Sequence, residues 1–432
     1  MRSLFIFLLV FVSFLGQSQQ LLSLEEAIQI GLQNRYDITI ATNQQNIAEI
    51  NDNYGNAGFY PIIAVEAGQN FNLNNTKQEL FSGDVREGNN VSSNATNAAI
   101  VLDWTFFDGM NMFIQKDRLE AESSRSLDEL KLITEAAVLE IRLAFLAIQE
   151  MKDRIQIIQE AIDVSNERKN LVQTQFKVGT ASAQALLQAQ VDINSDSLAL
   201  ENVLVDYKNA IVVLNQSLNR EPSTTFDILP TSLLVATYDY ENMVEVLLAQ
   251  NKNISMARWN EKLAHLSMKS TKSQQLPSLS FGTGYTYGRS EAEIGILKFN
   301  RNLGLNYGLT ARWNIFDGFR VKNQTQTAKI QMQNATLTRQ QWEMDLKSNI
   351  YANIDQMKSL QNIIRVSEGN VSIARENVTI AVDKLKIGSL TPLELRTAQQ
   401  DLINISFQQL MVVYQLKRLE WNLLFTSGQI KI

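Results

Sequence analysis

Between residues 278 and 288 the chain alternates. Leu279, Phe281, Thr283, Tyr285 and Tyr287 fall on one side, and Ser278, Ser280, Gly282, Gly284 and Thr286 on the other. The alternation recurs over 303–315, where Leu303, Leu305, Tyr307, Leu309, Ala311, Trp313 and Ile315 oppose Gly304, Asn306, Gly308, Thr310, Arg312 and Asn314. Earlier, Ile63, Val65, Ala67, Phe71 and Leu73 oppose Glu66, Gly68, Asn70 and Asn72, and Ala98, Ile100, Leu102, Trp104 and Phe106 oppose Asn97, Asp103 and Thr105. A period of two predicts β-strands with one apolar and one wet face. Each run reaches the roughly 9–11 residues that a tilted strand needs to cross a membrane. The wet face is rich in Gly, Ser and Asn, which suits a watered lumen. Phe59, Tyr60, Trp104, Phe106, Phe107, Trp313 and Phe316 collect at one end, where an interfacial girdle would lie. A soluble sandwich is the competing reading, but no second sheet is predicted to cover the apolar face.

The rest of the pattern is helical. No proline falls between Gly109 and Val178, or between Gly318 and Ile387. In the first of these stretches Ile141, Ala144, Ile148, Met151, Ile155, Ile158 and Ile162 follow a 3-4 spacing, as in a helix packed along a neighbour. Shorter helices are expected over about 22–56, 182–218, 239–272 and 391–427. Pro61 and Pro277 mark entry to the strands.

The chain is also duplicated. "WTFFDGM" at 104–110 matches "WNIFDGF" at 313–319, and "FKVGTASAQALLQAQVD" at 176–192 matches "LKIGSLTPLELRTAQQD" at 385–401, both at an offset of 209. That period is far longer than a solenoid repeat. The expected organisation is a signal peptide at 1–18, a first repeat at 19–219, a linker at 220–238 and a second repeat at 239–432. Each repeat runs helix, two strands, long helix, turn, helix. The opening "MRSLFIFLLVFVSFLGQSQQ" carries one Arg before an apolar run too short to span a membrane. It therefore reads as a cleaved export signal.

Composition removes several chemistries. There is no cysteine and one histidine, His265, which leaves thiolate sites unavailable and zinc or His-based catalytic sites hard to assemble. A net charge of −6 with no basic patch argues against nucleic acid as a partner. Met110 and Met112 read as packing residues. No catalytic, cofactor-binding or metal-binding residue is expected.

Four strands cannot close a membrane barrel, and open edges are not tolerated in hydrocarbon. Several chains must share one barrel: two would give 8 strands and three would give 12. With its duplicated Trp-x-x-Phe-Asp-Gly junctions, its Val178-Gly179-Thr180 turn and the partner turn Ile387-Gly388-Ser389, the chain resembles the TolC-like outer-membrane channel proteins of Gram-negative bacteria, over its whole length beyond the signal. The resemblance implies a mixed α+β membrane protein, with a 12-stranded transmembrane β-barrel shared by a homotrimer and an α-helical barrel in the periplasm. It implies a belt formed by the linker, a periplasmic adaptor (membrane fusion) protein, an inner-membrane pump and outer-membrane lipid as partners.

Within that picture Trp104, Phe107, Asp108, Gly109 and Trp313, Phe316, Asp317, Gly318 mark strand-to-helix junctions, with the two aspartates capping helices and the two glycines easing the turns. The two turns become adaptor-contact tips. The family's acidic entrance ring falls by position on Glu394 and on Thr397, which is not acidic, while Leu385 replaces the aromatic before the second tip. Glu394 reads equally as an entrance constriction or as a helix-surface acid. The function implied is a passive exit duct for efflux or type I secretion, driven by the pump. A periplasmic coiled-coil adaptor or scaffold without a pore is the alternative, and an enzyme is the third class, for which no carboxylate pair stands out. The cargo is not written in the sequence.

Overall fold

A computed structural model describes residues 21–431 of the chain, so the expected signal peptide lies outside the described residues. The elements, in order, are β1 (Leu21–Leu22), α1 (Leu24–Asn34), α2 (Tyr36–Asn51), β2 (Ile62–Glu79), β3 (Val85–Asp108), α3 (Asn111–Lys177) and α4 (Ala183–Ser217). Then come β4 (Asp227–Ile228), α5 (Tyr240–Gln250), α6 (Lys252–Ser273), β5 (Ser278–Ala292), β6 (Phe299–Arg312), α7 (Arg320–Lys386) and α8 (Pro392–Ser427). Both long helices run for 67 residues.

The expected first helix of each half is two helices. Arg35 and Asn251 both leave the helical region with extended backbone (ψ 129° and 126°), while their N–H groups still bond Gly31 and Leu247 carbonyls. Side chains hold the breaks. Arg35 reaches Asp37 and the Ser217 carbonyl, and Asn251 Nδ2 donates to the Thr426 carbonyl at 2.7 Å.

Two compact units form, each drawing on both halves of the chain. One contains 41–130 and 253–342. Its centre is a four-stranded antiparallel sheet in the order β2-β3-β5-β6, with β2 and β6 as unpaired edges. The register aligns the alternation read from the sequence across all four strands. Val65, Ile100, Tyr285 and Leu305 form one row, and Ile63, Leu102, Thr283 and Tyr307 the next. Val65 and Leu309 stay 77% and 76% exposed, so this broad apolar face is uncovered. On the opposite face Asn97, Gly288 and Asn302 line up, as do Gly284 and Asn306, joined by the acids Glu66 and Asp103. β3 runs 24 residues and is longer than the sequence indicates, because its Gly/Asn/Ser-rich start carries no alternation.

The other unit contains the described residues up to Ile40, Lys131–Lys252 and Glu343 onward. Its main core packs Leu22, Ala27 and Ile28 against Val138, Ile141, Phe145, Ile148, Leu214, Tyr414 and Trp421. Of the predicted seam, Ile141, Ala144, Ile148 and Ile158 are buried and Met151, Ile155 and Ile162 half-buried. The linker is extended rather than helical, and β4 within it pairs in parallel with β1. Buried charges strap its end down. Glu420 accepts from the Ala236 N–H (3.0 Å) and the Tyr238 hydroxyl (2.9 Å), while Lys417 donates to the Leu234 carbonyl (2.9 Å). Burial, then the Glu420 carboxylate, raises the Tyr238 pKa well above the ordinary phenol value.

Candidate functional site

Three groups of residues carry the functional expectations, and no two of them meet at a single catalytic point. The first is the pair of junctions. β3 ends at Asp108, and Gly109 and Met110 follow with φ of +72° and +71°. The Asp108 carboxylate accepts the Met112 N–H across this turn at 3.0 Å, satisfying a free donor of the first turn of α3. At the second junction Gly318 and Phe319 repeat the left-handed pair at +67° and +64°. There Asp317 accepts the Val321 N–H at 2.9 Å. Both aspartates cap a helix from two residues outside the usual capping position. Each tryptophan indole also donates at 2.9 Å to the chain entering a strand, Trp104 to the Phe59 carbonyl and Trp313 to that of Gln275. Phe107 follows a β-bulge against Leu279, and Phe316 packs edge-on against Phe319 at 5.4 Å.

The second group is the helix tips. Gly179 (φ +83°) donates to the Phe176 carbonyl at 3.0 Å, and the Thr180 N–H donates to that of Gln175 at 2.8 Å. Gly388 (φ +75°) donates to Leu385 at 3.1 Å, and the Ser389 N–H to Lys384 at 3.0 Å. This paired 5→2 and 6→1 bonding is a Schellman close, and its left-handed position explains the glycine in both copies. Thr180 and Ser389 add a hydroxyl bond to the same carbonyls. The residue before each glycine stands free in solvent, Val178 at 70% and Ile387 at 79% exposed. The turns are neighbours, since Gln175 Nε2 donates to the Leu385 carbonyl at 3.0 Å and Lys386 pairs with Glu167 at 3.1 Å.

The third group is the expected entrance. Glu394 turns back on Thr391, accepting its N–H at 2.8 Å and its hydroxyl at 2.7 Å, while Thr391 Oγ1 accepts the Glu394 N–H. These bonds complete a capping box at the start of α8. The Thr391 N–H, then its hydroxyl, holds the Glu394 carboxyl below the ordinary carboxylate pKa. Thr397 gives its hydroxyl to the Leu393 carbonyl within its own helix. The "TPLE" signal of a capping box stands in the sequence at 391–394.

One polar cluster near the tips went unread in the sequence. Arg396 grips Asp196 with two bonds of 2.8 Å, Ser165 donates to the same carboxylate at 2.6 Å, and Gln399 donates to Ser165 at 2.6 Å. Arg168, 1% exposed, pairs with Asp192 at 2.7 Å. The cluster ties α3, α4 and α8 together. Asp192 and Gln399 belong to the matched phrases, so duplication was the available signal. It could not say which side chains would meet.

Among the described residues no group of three or more His, Cys, Asp or Glu is placed to hold a metal. His265 Nδ1 lies 3.5 Å from the Met332 thioether. Among the same residues, no helix is long and apolar enough to cross a membrane.

The family model described as "Outer membrane efflux protein" matches residues 27–220 and 243–429. No curated protein sequence matches significantly. Among solved structures, CusC, described in connection with transmembrane channel formation, matches with a TM-score of 0.79 at 16% identity, covering 94% of this chain and 92% of its own. The outer membrane protein VceC from Vibrio cholerae gives 0.78 at 17%, over 94% and 96%. The open MtrE outer membrane channel of Neisseria gonorrhoeae gives 0.72 at 15%, over 94% and 89%. At these identities the likeness is one of fold.

Proposed function

The chain belongs to the outer membrane efflux protein family, and from that premise we propose that it is the passive, trimeric exit duct of a tripartite efflux or type I secretion system. Three copies join β6 of one to β2 of the next and close 12 strands in the outer membrane. The helices supply the wall in the periplasm. An inner-membrane pump provides the energy, and the channel does no chemistry.

The observation that carries this reading is the sheet of one chain. It has two unpaired edges, one uncovered apolar face and one face of small polar side chains. In water such edges invite uncontrolled pairing; in a bilayer the same sheet is stable only as part of a closed barrel. A scaffold without a pore leaves that face unexplained.

The repeats, 19–219 and 239–432, then each supply one hairpin and one tip. The tips Val178-Gly179-Thr180 and Ile387-Gly388-Ser389 are proposed to meet the periplasmic adaptor. Their support is two exposed aliphatic side chains held on rigid closes. Glu394 contributes a fixed negative charge beside the second tip, held on Thr391, while Thr397 contributes none.

The test is the detergent-corrected mass of the membrane-extracted protein. Three chains per particle, with conductance after insertion in a planar bilayer, is the expected result. A water-soluble monomer would overturn the duct and favour the scaffold.

A further inference from the structure

The apolar face of the sheet is interrupted before the hairpin ends, with Phe71, Leu73 and Phe299 lying beyond the break. On β5 it runs from Leu279 to Tyr287, nine residues, which at about 3.4 Å per residue and a tilt of about 40° project to roughly 23 Å. That is close to the height of an outer-membrane apolar band. The next row on the same face is Gln69, Thr96, Arg289 and Arg301, polar across all four strands. It lies toward the hairpin ends, away from the helices. Arg289 and Arg301 are direct cross-strand partners, and like charges so placed destabilise a sheet unless a counter-charge sits between them.

The protein supplies only part of that counter-charge. Glu291 pairs with Arg289 at 2.5 Å, and the Arg289 guanidinium lies over the Phe299 ring at 5.6 Å. Arg301 forms no ion pair among the described residues. Of the other charges at this end, Glu293 accepts the Ser92 N–H, Arg86 donates to the Gly295 carbonyl, and Lys298 adds a further cation. Guanidinium groups bind phosphate oxygens bidentately. At the edge of hydrocarbon, on the outward face, the abundant anion is the phosphate of a lipid headgroup.

We propose that Arg289 and Arg301 form a binding site for the phosphate of an anionic lipid in the outer leaflet. The proposal rests on the membrane-barrel reading above, which sets this face toward lipid and the hairpins toward the cell exterior. A bound phosphate bridges the two guanidiniums, relieves their repulsion and pins β6 at a fixed depth.

The experiment uses the full chain in phosphatidylcholine nanodiscs with and without phosphatidic acid, followed by native mass spectrometry of the released oligomer. Wild type should retain up to one phosphatidic acid per chain. Arg289→Gln/Arg301→Gln should lower retention about tenfold. Arg301→Gln alone should lower it by an intermediate factor, which keeps the test decisive if the double variant assembles poorly. Arg312→Gln, on the opposite face, should leave it unchanged. Equal retention by wild type and either variant overturns the site. Displacement by inorganic phosphate assigns it to free anions and overturns the lipid commitment. Failure of wild type to enter nanodiscs at all overturns the barrel reading itself, and is seen before any lipid is counted.

Discussion

The two strand-to-helix junctions share four residues, a left-handed pair, an aspartate cap and an indole bond, yet their surroundings differ. A side chain added at Gly109 would meet the Ser273 carbonyl oxygen at 2.5 Å and the Leu276 Cβ at 2.9 Å, whereas at Gly318 nothing lies within 4 Å. The cause is topological. β3 is a central strand, paired with β2 as far as Asp103 and with β5 as far as Asp108, so its exit must pass beside the chain leaving α6. β6 is an edge strand that ends at Arg312 and leaves 313–319 in the open. One sequence phrase therefore serves two demands. At the first copy Gly is required by space and by backbone, at the second by backbone alone.

Substituting the glycines breaks that comparison most sharply. Gly109→Ala should destabilise by about 3 kcal/mol, combining the left-handed penalty with overpacking. Gly318→Ala should cost about 1–2 kcal/mol from the backbone conformation alone. Unfolding midpoints in detergent measure both, and equal shifts would refute the role given to Ser273 and Leu276. Next in size are the caps. Asp108→Ala and Asp317→Ala should each cost about 1 kcal/mol, and by similar amounts, because each loses one bond to a first-turn N–H. A large gap between them would mean that the junctions differ in more than space.

The tips give the smallest and most selective contrast. α8 begins with the Thr391–Glu394 box, while α4 begins with Ser182 alone and has Ala185 at the matching place. A carboxyl whose folded pKa is lowered contributes stability above its unfolded pKa and loses it as pH falls through the folded value. Protection of the first-turn amides of α8, relative to their intrinsic exchange rate, should therefore fall below about pH 4, while that of α4 does not respond through this route. Glu394→Gln keeps the box, since Gln accepts the same bonds, and should abolish the contrast. Acid loss of that protection persisting in the variant would disprove the assignment.

Periodicity makes the sheet, its two faces and both long helices legible in the sequence. What escaped it has physical reasons. The breaks at Arg35 and Asn251 carry neither Gly nor Pro, and depend on side-chain bonds to residues far along the chain. The first half of β3 lies past the apolar band, so no alternation marks it. The Asp196–Arg396 contact joins a residue just beyond the first copy of the duplicated phrase to one inside the second. Repetition marks neither position, since Arg396 falls opposite Leu187 at the repeat offset. At the candidate site, Gly179 and Gly388 were readable from local turn chemistry, because a left-handed position selects glycine. The partner of the Glu394 carboxylate depends on a side-chain choice that position alone does not determine.

The two long helices contain the same number of residues and end in turns bonded to each other through Gln175 and Leu385. An extra residue in either one advances its tip by about 1.5 Å and turns it by about 100°, which would tear that bond and rotate the seam out of register. Lengthening is thus an inherited constraint: the two copies can change length only in step, by insertions close to whole heptads. Divergence in this lineage should accumulate in the hairpin loops and the linker, where a change of length disturbs no counterpart.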